Sequence, residues 1–149
     1  ITVNYREAYN LFACNGILFN HESPRRGEEF VTQKIARYSK NPTGKLRLGN
    51  LEASRDWGFA GDFVEAMWLT LQQDKADDFE ICTGETHTIR EFLELAIPGW
   101  ESKVESVPEL IRKNEVHLLK GNPEKIKAIG WEPKVDFKGL VEMMCSLSM

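Results

Sequence analysis

The run Asn20-His21-Glu22-Ser23-Pro24-Arg25-Arg26-Gly27 is dense in ligand-binding chemistry. Arg25 and Arg26 offer planar, permanently charged forks that match phosphate oxygens. Asn20 can both donate and accept hydrogen bonds, and His21 can donate to a phosphate or a cofactor ring. Gly27 permits a sharp turn or the close approach of a ligand to the backbone. The run follows an apolar stretch, Phe12 to Phe19, and α/β folds bind ligands just past the carboxyl ends of their strands. By itself the same run also reads as a solvated turn with Glu22–arginine ion pairs.

Three further sites stand out. Lys34 lies one turn on from Phe30, on the side of a predicted helix where Phe30, Val31 and Ile35 cluster. A lysine there either snorkels to water or faces a ligand phosphate. Arg55 precedes a helix, where it can meet an anion, with Asp56 orienting it; the alternative is a structural ion pair between the two. Arg112 and Glu115 stand at i and i+3. On a helix they would pair with each other; as a clamp, the arginine takes phosphate and the glutamate a sugar hydroxyl. His87 and His117 have no evident partner, and no Ser-His-Asp order, metal-ligand spacing or GxGxxG fingerprint occurs.

These residues need a scaffold, and 149 residues suffice for one unit with its own core. The composition, 42% hydrophobic and 28% charged, is that of a globular chain. A net charge of −4 gives no global attraction for nucleic acid or anionic membrane. No apolar run approaches membrane-span length. Cys14, Cys82 and Cys145 sit far apart in apolar surroundings, which predicts reduced, buried thiols and a cytoplasmic location. The first residues read as mid-helix with no cap, so the chain is expected to be part of a longer one.

The hydrophobic pattern predicts the end of a helix over 1–10, then a strand over 11–19 buried on both faces. A helix over 29–38 and a short strand over 46–48 follow. Ala60, Phe63, Val64, Met67, Trp68 and Leu71 recur at helical spacing, predicting one apolar stripe. A second buried strand is expected over 79–82. Thr88 to Glu91 is a capping box for a helix over 89–96. Residues 99–114 read mostly as loop. Asn122 and Asp136 are candidate caps for two last helices. Alternating strands and helices argue for an α/β layout.

At these residues the chain resembles the extended short-chain dehydrogenase/reductase superfamily, and within it the GDP-mannose 4,6-dehydratase family. NHESPRRG, the segment LGNLEASRDWGFAGDFVEAMWLTLQ, Cys82-Thr83-Gly84 and the tail KGNPEKIKAIGWEPKVDFKGLVEMM carry the likeness. The resemblance implies the C-terminal part of a Rossmann-like fold, with residues to about 20 ending the cofactor half and about 21–149 forming the substrate-binding domain. It implies that His21 and Arg26 touch NADP. Asn20, Val31 through its backbone, Lys34, Arg55, Arg112 and Glu115 would touch GDP-mannose. It also implies a homo-oligomer. The family's glycine-rich fingerprint, Tyr-x-x-x-Lys pair and catalytic Thr and Glu are absent from these residues, so the chain by itself is expected to be inactive. A non-catalytic truncated product or nucleotide-sugar binding module is the alternative, and a related epimerase or reductase a further one.

Overall fold

In the computed structural model, which describes residues 1–111 and 113–146, short strands alternate with helices. In chain order they are α1 (Thr2–Tyr9), β1 (Asn15–Leu18), β2 (Asn20–Glu22), α2 (Val31–Lys40), β3 (Leu46–Leu48), β4 (Ser54–Arg55), β5 (Trp57–Phe59), α3 (Ala60–Thr70), β6 (Asp78–Ile81), β7 (His87–Thr88), α4 (Ile89–Ala96), β8 (Val104–Ser106), β9 (Leu118–Leu119), α5 (Glu124–Ala128) and α6 (Phe137–Cys145). Single 3₁₀ turns at Trp100–Ser102 and Pro108–Leu110 flank β8.

Four of the five strand pairings among the described residues are parallel. Parallel neighbours require crossovers, and the helices supply them, which makes the fold α/β. β1 pairs with β6, β2 with β5, and β3 with β8; β4 lies between β7, its one antiparallel partner, and β9. Two clusters of buried side chains form the core. One gathers Ile35, Tyr38, Leu48, Trp57, Phe92, Leu93, Leu140 and Met144 under α2, α4 and α6. The other packs Phe63 and Ala66 of α3 on Phe79 and Ile81 of β6, with Ile126 and Trp131.

The starts of α4, α5 and α6 are satisfied by local side chains. Thr88 Oγ1 accepts the Glu91 amide at 3.1 Å, and the Thr88 amide donates to Glu91 Oε2 at 2.6 Å, completing the capping box of α4. Asp136 Oδ1 accepts the Gly139 amide at 2.7 Å and caps α6. Asn122 Oδ1 accepts the Glu124 amide at 3.0 Å, so it serves α5 from just outside the helix.

One buried carboxylate joins the parts. Asp56, fully buried, sits between β4 and β5. Its Oδ1 accepts the Thr83 amide at 2.8 Å and the Thr83 hydroxyl at 2.7 Å. Its Oδ2 accepts the Gly84 amide at 2.8 Å and the Gly121 amide at 3.4 Å. Gly121 must lack a side chain here, because a Cβ would stand 2.4 Å from Cys82 Sγ. Asp62, at the start of α3, acts similarly: its Oδ2 accepts the amides of Lys134 and Val135, and its carbonyl accepts the Trp131 indole N–H.

The structure departs from the pattern-based expectations in several places. The strand expected over 11–19 is only β1, paired among the described residues with β6 alone, and Leu11, Phe12 and Ile17 are exposed. Asn20–Glu22, expected as loop, is strand β2, held in register by β5. Helix α2 begins at Val31 and leaves Lys34 exposed rather than on the apolar side. The stripe expected on α3 does not pack as one: of its members Phe63 faces inward, joined by Ala66 from outside it, while Val64, Met67, Trp68 and Leu71 face out. Residues 104–106 form β8, because the β3 edge supplies their hydrogen bonds. Of the cysteines only Cys82 is fully buried; all three are free.

Replacing Asp56 with Ala strands several buried amides, each costing about 1–3 kcal/mol. Asp56→Ala should therefore lower the unfolding free energy by at least about 3 kcal/mol in urea denaturation; an unchanged midpoint would remove Asp56 from this role. Burial, with Asp56 and Glu80 nearby, pushes the Cys82 thiol up to about 12. At pH 8 iodoacetamide should leave Cys82 unmodified in the folded protein and alkylate it in urea, as read by mass spectrometry.

Candidate functional site

Because residues 55 and 57 belong to different sheets, the chain at Asp56 turns one side chain toward open space and the next into the core. Arg55 faces a cleft; Trp57, 4% exposed, closes its floor. β2 lies beside β5 in parallel register, Asn20 opposite Trp57 and Glu22 opposite Phe59. That register brings Asn20 and Glu22 to the same cleft. α2 adds Val31, Thr32 and Lys34, and the end of β3 adds Arg47, Leu48, Gly49 and Asn50. The cleft has a volume of 470 Å³, within the range of about 300–1,000 Å³ usual for small-molecule sites.

Its charged lining is mixed: the cations Arg26, Lys34, Arg47 and Arg55 face it, with the carboxylates Glu22, Glu29 and Glu115. Arg55 Nη1 donates to the Ser54 carbonyl at 2.8 Å, and its Nη2 donates to Glu115 Oε1 at 3.1 Å. Both side chains of that pair are largely buried. Asp56 thus does not orient Arg55; it points away, to the amides of Thr83 and Gly84, and Glu115 takes its place. Arg47 Nε lies 4.0 Å from Glu105 Oε2 with both side chains exposed, a weak surface pair. Lys34 makes no ion pair among the described residues.

The two neighbouring arginines separate. Arg25 is exposed and its amide is held by Ser23 Oγ. Arg26 turns into the cleft: its Nη1 donates to the His21 carbonyl at 3.3 Å, its Nε lies 3.2 Å from Glu22 Oε2, and its guanidinium carbon sits 3.6 Å from the centre of the Phe30 ring. His21 goes elsewhere. Its Nδ1 donates to the Phe19 carbonyl at 2.8 Å and its ring packs on Phe63, so it does not line the cleft.

Of the residues singled out in the sequence, Asn20, Arg26, Val31, Lys34, Arg55 and Glu115 come together in one cleft. His21 stands outside it, and Arg112 lies outside the described residues. Sequence patterns did not single out Arg47 or Glu29, and named Phe30 and Trp57 only as neighbours of Lys34 and Arg55. Arg47 alternates with Leu46 and Leu48 on a strand, and that period of two is the signal that turns it away from the core. Among the described residues no cluster of His, Cys, Asp and Glu could hold a metal ion, and no helix is long and apolar enough to cross a membrane.

The fold is that of the short-chain dehydrogenase/reductase class. It superposes on dTDP-glucose 4,6-dehydratase from Bacillus anthracis with a TM-score of 0.83 at 23% identity, covering 96% of this chain and 47% of that one. UDP-glucose 4-epimerase from Thermus thermophilus gives 0.80 at 27% identity, over 96% and 48%. A family model described as GDP-mannose 4,6 dehydratase matches residues 1–144, and the chain belongs to that family. It is 57% identical to GDP-mannose 4,6 dehydratase 1 of Arabidopsis thaliana over 96% of this chain and 42% of that protein. For the human GDP-mannose 4,6 dehydratase the figures are 48%, 97% and 46%. The chain thus spans somewhat under half the length of these relatives.

Burial pushes the Glu22 carboxyl above the usual range, partly offset by the Thr32 hydrogen bond and the charge of Arg26. A raised carboxyl holds its proton more tightly folded than unfolded, so its contribution is greatest below the ordinary glutamate value and is lost as pH rises through the raised one. The unfolding free energy of the native protein minus that of Glu22→Gln should accordingly fall as pH rises from the acid side. Denaturant titrations across a pH series would read this, and a difference that rises instead contradicts the assignment.

Proposed function

We propose that this chain carries the nucleotide-sugar-binding part of a GDP-mannose 4,6-dehydratase, and that the cleft takes GDP-mannose. The observation that supports this best is the gathering of Arg26, Lys34, Arg47 and Arg55 around one cleft. A nucleotide diphosphate carries its charge on a few oxygens and binds where several cationic donors converge. Asn20, the Val31 backbone, Lys34, Arg55, Arg112 and Glu115 are assigned to GDP-mannose. Glu115 and Arg55 then share the ligand: the guanidinium takes a phosphate oxygen, and the carboxylate accepts from a hydroxyl.

The family resemblance brings NADP. Arg26 suits its phosphates, since its guanidinium lines the cleft and its Nη2 makes no hydrogen bond to the described residues. His21 is assigned to the cofactor as well, with its ring on Phe63. When bound, the nicotinamide supplies a hydride acceptor. No Tyr-x-x-x-Lys spacing occurs in these residues, so the chain's own part is to bind and orient the sugar nucleotide. The 149 residues alone are expected to bind it without converting it.

In the same reading, residues to about 20 end a Rossmann-like half and the substrate-binding domain follows. β6 and α3 return to the β1 layer from within that second part. The exposed apolar side chains of α1 and α3 suit a homo-oligomer, and the free cysteines suit the cytoplasm.

Calorimetric titration tests the reading. GDP-mannose should bind more tightly than UDP-glucose, and Arg55→Ala should weaken GDP-mannose by about tenfold or more, the value of a charge-assisted hydrogen bond. Equal affinity for the two sugars, or full affinity in Arg55→Ala, refutes it.

A further inference from the structure

Glu22 differs from the other carboxylates of the cleft in being almost wholly buried, at 1% exposure. Its Oε2 accepts the Thr32 hydroxyl at 2.7 Å and faces Arg26 Nε at 3.2 Å. Glu22 stands on β2 and Thr32 on α2, so the carboxylate is fixed by two elements before it meets the arginine. Arg26 is then held on three sides, by Glu22, by the His21 carbonyl and by the Phe30 ring. Its Nη2 makes no hydrogen bond to the described residues.

We propose that Glu22 is a positioning residue, which aims the free edge of Arg26 at a phosphate oxygen of a bound nucleotide. The assignment rests on the nucleotide-binding reading above. A free arginine samples many rotamers, and immobilising it on binding costs affinity. A buried counter-ion that fixes the guanidinium beforehand removes that cost and leaves one donor edge facing the ligand. Arg25, with no such partner among the described residues, stays in solvent. The phosphate could belong to the sugar nucleotide or to the dinucleotide, since both present the same oxygens.

The test is to titrate GDP and, separately, NADP into the 149-residue protein and its Glu22→Gln, Arg26→Ala and doubly substituted variants. The arginine Nε–H resonances are recorded by NMR alongside. Glu22→Gln should weaken one nucleotide by about tenfold, the scale of a hydrogen bond to a charged group. It should weaken nothing further once Arg26 is alanine. The nucleotide that loses affinity identifies the source of the phosphate. The Arg26 Nε resonance should shift in Glu22→Gln while the backbone amide spectrum stays folded. An equal loss with and without Arg26, or an unmoved Nε resonance, overturns the proposal. Should the unaltered protein take neither nucleotide, the binding reading fails, and the Nε resonance alone decides whether Glu22 holds Arg26. Should Glu22→Gln not fold, Thr32→Val replaces it, removing only the hydroxyl that orients the carboxylate. It should then give a smaller loss that again vanishes with Arg26.

Discussion

The Asp56 carboxylate is the constraint on which the rest depends. It sits where the chain leaves one sheet for another, and it binds the amides that begin the turn after β6 and the amide that follows β9. Its own amide donates to the Leu119 carbonyl at 3.0 Å. Three segments remote in sequence therefore meet at a single buried charge. A buried carboxylate is tolerated only when its lone pairs are filled, and four donors fill these. The consequence for the cleft is direct: with Asp56 fixed, Arg55 must face the cleft and Trp57 the core.

The cleft is also electrostatically prepared. Two of its arginines arrive with resident counter-ions, Glu22 for Arg26 and Glu115 for Arg55. Burying a lone guanidinium would carry a large desolvation cost, and these carboxylates reduce it. The two pairs are not equivalent. Glu115 reaches Arg55 from the segment before β9, and an incoming anion competes with it for the same Nη2. Glu22 instead engages the Nε of Arg26 and leaves its Nη2 without a hydrogen bond to the described residues. One pair is displaceable and the other is a brace. Lys34 and Arg47, with little or no internal pairing, add charge that a ligand meets in water.

What the sequence made legible follows from which signals are local. The capping box of α4 and the Asp136 cap of α6 involve residues three apart, and both are present where the spacing puts them. β3 and the strand ending at Ile81 were legible from short apolar runs. β2 and β8 were not, because Asn20–Glu22 and Val104–Ser106 are polar enough to read as loop and become strands only through β5 and β3. The same limit applies to the site. Arg26 and Arg55 announced themselves by type, whereas the partners they take, Glu22 in its buried form and Glu115, are set by tertiary structure. For α3, apolar residues on more than one side hid which side packs inward, and Phe63 and Ala66 rather than Val64 and Trp68 meet the β6 layer.

The parallel pairings carry a kinetic consequence. Among the described residues none of the five strand pairs is a hairpin: Asn15 meets Asp78, Asn20 meets Trp57, Leu46 meets Val104, and Ser54 meets both Thr88 and Leu118. Each ladder must close a long loop before its first hydrogen bond gives anything back, and such topologies fold slowly. Helices α4 and α6, with their local caps, can fluctuate into shape early, but the cleft cannot exist in part. Its floor at Trp57, its wall at Asn20 and its counter-ion at Glu115 come from three stretches that meet only when the long loops have closed. A nascent chain therefore gains this cleft at the end of folding, and until then the apolar segments of β1 and α3 are open to association with other chains.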